Sequence, residues 1–185
     1  GSALGQAGVA IDDVAHLDLY SCFASSLHFA CDALGIDPHS DARPLTVTGG
    51  MSFAGGPWNN YPMHGIATMA GLLREDPDAY GLCTANGGYT TKHAFGVLSC
   101  RPPAAGHFRH TKPQAEVDAL PRRELATEHD GPVRIEAVTV VHDRDGEAER
   151  GIVSVLLDDG RRAWGSLGDT DDMARAEQEE IIGTA

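Results

Sequence analysis

TVTGGMSFAGGPWNNYPMH, Thr46 to His64, is the stretch from which the fold reads outward. Its four glycines and Pro57 precede an aromatic and amide cluster that runs straight into a helical pattern. Gly49-Gly50 and Gly55-Gly56 permit positive φ and close approach of the backbone to a ligand or strand. Asn59, Asn60 and Tyr61 bring hydrogen-bonding side chains to the head of the helix. The pattern is a loop set on a helix N-terminus, which is either a binding loop or a capped tight turn.

Upstream of this loop, Ala3 to Gly8 reads as the end of a helix stopped by glycine, and His16 to Tyr20 as a short buried strand. Ser21 is placed to cap the next helix, where Phe23, Leu27, Ala30, Cys31 and Leu34 keep helical spacing until Gly35. Asp37 to Pro44 is a loop. Downstream, Met63 to Leu73 is an amphipathic helix ending before Asp76-Pro77. Gly81 to Ala85 and His93 to Ser99 are strands joined by the turn signal Asn86-Gly87-Gly88. Strand, helix, loop, helix, strand, strand makes an α/β layer.

The chain changes character near residue 100. There are 12 Asp, Glu, Lys and Arg residues in the first 100 positions and 29 in the last 85, which predicts two differently built units. Arg101 to Gly106 (RPPAAG) reads as a stiff linker, dividing a domain at 1–100 from one at 107–185. In the second, Val133 to Val141 alternates, HDRDGEAERG is a polar turn, and Ile152 to Leu157 is a strand. Asp158-Asp159-Gly160 turns the chain into Arg162 to Leu167. An antiparallel meander follows, as a small sheet or an OB-like barrel, with a helix from about Asp171 to Glu179. Ile181 to Ala185 reads as a strand cut short, so the second domain is open to being truncated.

The 185 residues carry a net charge of −13, which argues against nucleic acid and anionic lipid as partners, because phosphate binding needs clustered Lys and Arg. No apolar run is long enough to cross a membrane and no signal-peptide pattern opens the chain. Cys22, Cys31, Cys83 and Cys100 have no CxxC or matching Cys/His spacing, so neither a metal site nor a disulfide framework is indicated, and free thiols fit a cytoplasmic setting. Gly1-Ser2 looks like a remnant of cloning and Ala3 onward like the middle of a helix, so a longer parent protein is expected.

Three segments together resemble the C-terminal half of the thiolase superfamily, in the branch near the sterol-carrier-protein thiolases and the type 1 thiolase-like proteins. They are LDLYSCF (Leu17 to Phe23), TGGMSFAGGP (Thr48 to Pro57) followed by NNYPMH, and CTANGGYTTKHAFGV (Cys83 to Val97). The resemblance implies a layered α/β/α fold over about residues 3 to 100. It also implies that the acidic remainder is the additional C-terminal domain of such proteins. The activity implied is that of an acetyl-CoA acetyltransferase acting on a coenzyme A thioester, with no other cofactor. The nucleophile half would lie in a missing N-terminal part of the same protein, and a homodimer or partner subunit is an expected association.

The motif that fixes a catalytic water in thiolases falls on Tyr20-Ser21-Cys22-Phe23. The Gly-His-Pro motif falls on Gly55-Gly56-Pro57, and the Cys-x-Gly motif on Thr84-Ala85-Asn86, or on Cys83 with a slip of one. Glycine at position 56 removes a proton acceptor and an oxyanion donor together. Three readings therefore stand: a thiolase-like acyl-CoA enzyme, a degenerate thioester or partner binder without turnover, or an aldol-type carbon–carbon lyase.

Tyr20, His64 and His93 are the catalytic candidates. Gly55, Gly56, Pro57, Asn59, Asn60, Gly87 and Gly88 are the substrate-binding ones. Each has a plainer alternative: Tyr20 as a core ring, His64 as a structural helix residue, His93 as a turn residue. Cys22, Cys31, Cys83 and Trp164 are expected in cores. His107, Arg109, His110 and Lys112 form a small basic cluster that fits either a solvated linker or contact with a coenzyme A phosphate.

Overall fold

The computed structural model describes residues 2–103 and 105–184. The chain divides into two compact units, residues 1–115 and 116–185, so residues 101–115 cluster with the first. No helix among the described residues is long and apolar enough to cross a membrane.

In the first unit α1 (Ser2–Ala7) leads through a 3-10 turn to β1 (Val14–Asp18), followed by α2 (Ala24–Leu34), the short α3 (Met51–Ala54) and α4 (Tyr61–Glu75). A hairpin of β2 (Tyr80–Gly87) and β3 (Lys92–Ser99) completes it. The three strands form one sheet in the order β1-β2-β3. β1 runs parallel to β2, with Leu17 opposite Leu82, and β2 runs antiparallel to β3, with Leu82 opposite Val97.

Alternation along the strands divides the core in two. Leu17, Leu82 and Val97 share one face, packing with Leu19, Cys31, Ile36, Leu27 and Leu34 of the α2 side. Cys83 and Leu98 turn to the other, where Met69 and Leu73 of α4 cover them. Helices therefore lie on both faces of the sheet, giving a layered α/β/α arrangement. Gly65 and Gly81 let α4 sit this close: a Cβ on Gly65 would collide with the Asp18 carboxylate, and one on Gly81 with the Met69 sulfur.

The local reading needs three corrections. β1 starts at Val14 and ends at Asp18, so Leu19 and Tyr20 lie beyond the ladder, where the Leu19 N–H donates to the Leu45 carbonyl at 2.9 Å. Ser21 does not cap α2, whose N-cap is Phe23; instead the Ser21 hydroxyl accepts from the Met51 N–H at 3.4 Å. Asn86 and Gly87 belong to β2, and the turn lies over residues 88–91, where Gly88, Tyr89 and Thr90 take φ of 58°, 53° and 63°. Gly35 ends α2 in the left-handed region, φ 72°, as glycine at a C-cap commonly does.

After α5 (Gln114–Asp118), the second unit is an antiparallel meander of β4 (Arg134–His142), β5 (Ala148–Leu156) and β6 (Arg162–Leu167), with α6 (Thr170–Gln178). The order β4-β5-β6 is the small open sheet of the two expectations rather than a closed barrel. Backbone bonds extend both edges. The Ala126 N–H donates to the Arg162 carbonyl at 2.8 Å, and the Gly183 N–H donates to the Ile135 carbonyl at 2.8 Å. Covering edges in this way blocks strand-to-strand aggregation. Trp164 is 64% exposed, contrary to the core position expected for it. It pairs with Ser154 on β5, whereas the buried Val153 and Val155 point to the opposite face of the sheet.

Candidate functional site

The carboxyl ends of β1 and β2 bring residues far apart in sequence into one hydrogen-bonded cluster. Tyr20 is its pivot. The Tyr20 N–H donates to Thr84 Oγ1 at 2.8 Å, and its carbonyl accepts from the Ser26 hydroxyl at 3.1 Å. Its ring stands edge-on to Tyr61, centroids 5.4 Å apart at 82°, the arrangement favoured by aromatic quadrupoles. Burial pushes the Tyr20 phenol above its usual range, with Cys22 adding to the shift.

Two side-chain chains run inward from this pivot. On one side the Cys22 thiol donates to Asn86 Oδ1 at 3.6 Å, and Asn86 Nδ2 donates to the Ser26 oxygen at 2.7 Å. Asn86 is thereby fixed in orientation, its oxygen toward Cys22 and its amide nitrogen toward Ser26. On the other side Thr48 joins three groups. Its hydroxyl donates to Asp18 Oδ1 at 3.0 Å, lies 2.8 Å from the Tyr61 oxygen, and accepts from the Gly50 N–H at 3.2 Å. With its one hydrogen committed to Asp18, Thr48 must accept from Tyr61.

Asp18 is 1% exposed, and burial raises its pKa despite bonds from Thr48 and from the Val47 N–H at 3.2 Å. Tyr61, fully buried, is also raised by burial. Cys83, on the sheet face toward α4, is pushed up to about 12 by burial, with the Asp18 charge adding, and it packs as an inert thiol. These shifts keep the phenols and the Cys83 thiol protonated near neutrality, so those groups serve as hydrogen-bond donors, and the Asp18 carboxylate is the acceptor they surround. Among the described residues the Tyr20 hydroxyl has no hydrogen-bond partner.

The other sequence candidates lie apart from this network. Asn60 Nδ2 and His64 Nε2 are 3.3 Å apart on the outer side of the α4 start. His93 is exposed, donates from Nε2 to the Thr90 carbonyl at 2.6 Å and stacks on Phe95, so it is engaged within its own hairpin. Gly55 and Gly56 are exposed, with Gly55 at φ 80°, and Pro57 leads into the 3-10 turn Trp58–Asn60 that holds Asn59. Gly87 ends β2 and Gly88 opens the turn.

Sequence reading missed Asp18, Thr48, Tyr61 and Asn86 as a network, and it placed Cys22 in the core where the structure leaves it half-exposed. The available signal was the polar run Tyr20-Ser21-Cys22 at a strand end. The partners lie about 30 and 64 residues away, beyond the reach of any local pattern. No group of three His, Cys, Asp or Glu among the described residues could hold a metal.

Residues 113–185 match the family described as the thiolase-like protein type 1 additional C-terminal domain. The crystal structure of a monomeric SCP2-thiolase-like protein type 1 from Mycobacterium smegmatis matches with a TM-score of 0.84 and 38% identity over 95% of this chain. The chain belongs to the type 1 thiolase-like proteins. It spans 39% of the length of that solved relative. No curated protein matches it.

Within this thiolase-like chain, the segments Tyr20 to Phe23 and Thr84 to Asn86, on which the sequence resemblance sets thiolase motifs, are joined by the Tyr20–Thr84 and Cys22–Asn86 hydrogen bonds. The segment aligned with Gly-His-Pro carries exposed glycine at position 56, where a Cβ would approach the Met51 methyl at 3.2 Å.

Proposed function

We propose that this chain supplies the acyl-thioester pocket of a coenzyme A-binding, thiolase-like protein that holds its ligand without thiolysis. The observation that carries the reading is the half-exposed Tyr20. Its backbone is fixed from both sides while its protonated hydroxyl is left uncommitted, and a thioester carbonyl needs such a donor. The carboxylate of the cluster, Asp18, is buried and already takes bonds from Thr48 and the Val47 N–H. Gly56 stands where the resemblance sets a thiolase's histidine, and Cys22 is tied to the Asn86 amide.

The relative from Mycobacterium smegmatis is described as monomeric, and the same state is proposed here, to be checked by light scattering. The test of function is calorimetric titration of the intact protein with acetyl-CoA, alongside release of free thiol from acetoacetyl-CoA. Binding without thiol release is expected, and Tyr20→Phe should weaken binding about tenfold for one lost hydrogen bond. Steady thiol release would replace this reading with the acetyl-CoA acetyltransferase activity that the resemblance implies. Gly56→His, by restoring an acceptor, should then raise that rate if the rest of the pocket is competent.

A further inference from the structure

The first unit has a second concave surface that the thioester reading does not use. Gln6 of α1 and residues 107–111 (His107, Phe108, Arg109, His110, Thr111) border an open depression of about 400 Å³, and Lys112 follows directly. Four of the six side chains from 107 to 112 are basic and none is acidic, in a protein whose net charge is −13. In the same unit the guanidinium of Arg43 is bound by Asp41 and that of Arg101 by Asp78. Arg109 and Lys112 have no carboxylate or hydrogen-bond partner among the described residues.

Two more features point to the kind of ligand. Phe108 is 83% exposed between these cations, which is unfavourable for an isolated ring but suited to stacking on a planar base. The backbone from 107 to 112 is outside any helix or strand, and its N–H groups donate to no described acceptor. Such groups are available to anionic oxygens. Pro102 and Pro103 stiffen the approach, which lowers the ordering cost of binding.

We propose that this surface binds a nucleotide, with its phosphates on Arg109, Lys112 and the free backbone N–H groups, its base on Phe108, and the Gln6 amide at the base edge. Phosphate alone would not use Phe108, and an apolar ligand would not use the cations. A nucleotide uses both. The same chemistry is offered by a free nucleoside diphosphate and by the nucleotide end of coenzyme A.

The test is calorimetric titration of the intact protein with inorganic pyrophosphate, ADP and coenzyme A. ADP is expected to bind more tightly than pyrophosphate, and Phe108→Ala should remove that difference. Arg109→Ala and Lys112→Ala should each weaken ADP binding about tenfold and flatten its salt dependence, with an unchanged unfolding midpoint. If the same substitutions weaken coenzyme A, the nucleotide comes from the thioester; if they weaken ADP alone, it is a free nucleotide. No ADP binding at low salt, or binding indifferent to the double substitution, overturns the proposal. ADP lacks the thioester, so failure at Tyr20 leaves this result untouched.

Discussion

Asp18 in the first unit and Glu136 in the second are carboxylates on strands, each surrounded by hydrogen-bond donors, yet their surroundings drive them in opposite directions. Asp18 is buried among neutral donors, and loss of water outweighs its bonds to Thr48 and Val47, so its pKa rises. Glu136 is half-buried and takes a two-pronged bond from Arg162 at 2.6 and 2.9 Å, with Ser154 donating at 3.1 Å and the Arg123 guanidinium 3.6 Å away as an ion pair. The Arg162 bonds hold its pKa below the usual range. The second unit uses charge to tie β4, β5 and β6 together at its surface. The first uses buried polar groups to fix Thr48, Tyr61 and Gly50, which rigidifies that end of the sheet.

The sharpest way to break this contrast is at Gly65. An alanine there drives a methyl into the Asp18 carboxylate at the centre of the α4 face, where neither helix nor strand can withdraw. We expect a loss of about 3 kcal/mol in urea unfolding. Gly81→Ala should cost less, about 2 kcal/mol, because the atom it meets belongs to the flexible Met69 side chain. Equal costs would mean that Asp18 is not held as rigidly as its bonds imply.

Thr48→Val comes next. It leaves Asp18, Tyr61 and the Gly50 N–H each short of one partner, and about 2 kcal/mol should be lost. Tyr61→Phe removes only one donor from the same hub, so about 1 kcal/mol is expected. Unfolding midpoints of the two variants, read with thioester affinity, separate a hub that positions the pocket from one that only stabilises the fold. A positioning role requires Thr48→Val to weaken binding beyond what its stability loss explains.

Local signals were enough for the elements and too short-ranged for the site. Gly35 marked the end of α2, and Asp158-Asp159-Gly160 placed the start of β6 at Arg162, because glycine and turn chemistry act within a few residues. Alternation found β4 and the turn found β6, but neither could say which face would be covered, so Trp164 was assigned to a core it does not enter. Ser21 had the chemistry of a cap, yet its oxygen is taken by Met51, a residue 30 positions later. The same distance hid Asp18 and Thr48: as single letters they are an acidic residue in a strand and a threonine before glycines. Only the pairing of β1 with β2 and the packing of α4 turn them into one network.

The opposed pKa shifts give the comparison a pH axis. Asp18 titrates above its unfolded value, so its contribution to stability is complete below the unfolded pKa and is lost as pH rises through the folded one. Asp18→Asn should therefore gain on the parent protein with increasing pH. Glu136 titrates below its unfolded value, so its contribution is complete above the unfolded pKa and is lost as pH falls through the folded one. Glu136→Gln should lose least, relative to the parent, in acid. Urea unfolding from about pH 3 to pH 7 reads both slopes, and slopes of the same sign would contradict the contrast between buried and paired carboxylates.

The smallest expected effect lies at the surface of α6, where Arg175 Nε sits 2.9 Å from Glu179 Oε2, four residues on. That distance equals the longer arm of the Arg162–Glu136 fork, so distance alone would value this bond like one arm of the fork. Solvent decides otherwise. Both partners are more than half exposed, the arginine lies N-terminal to the glutamate, which is the weaker orientation along a helix, and salt screens what attraction remains. Arg175→Ala should change stability by about 0.3 kcal/mol or less. Arg162→Ala, in contrast, removes the two-pronged bond to Glu136 of β4, the carboxylate that also takes the buried Ser154 hydroxyl, so its loss should plainly exceed that of Arg175. If the two variants unfolded alike, the second unit would owe its cohesion to the apolar face around Val153, Val155 and Met173 rather than to its surface charges.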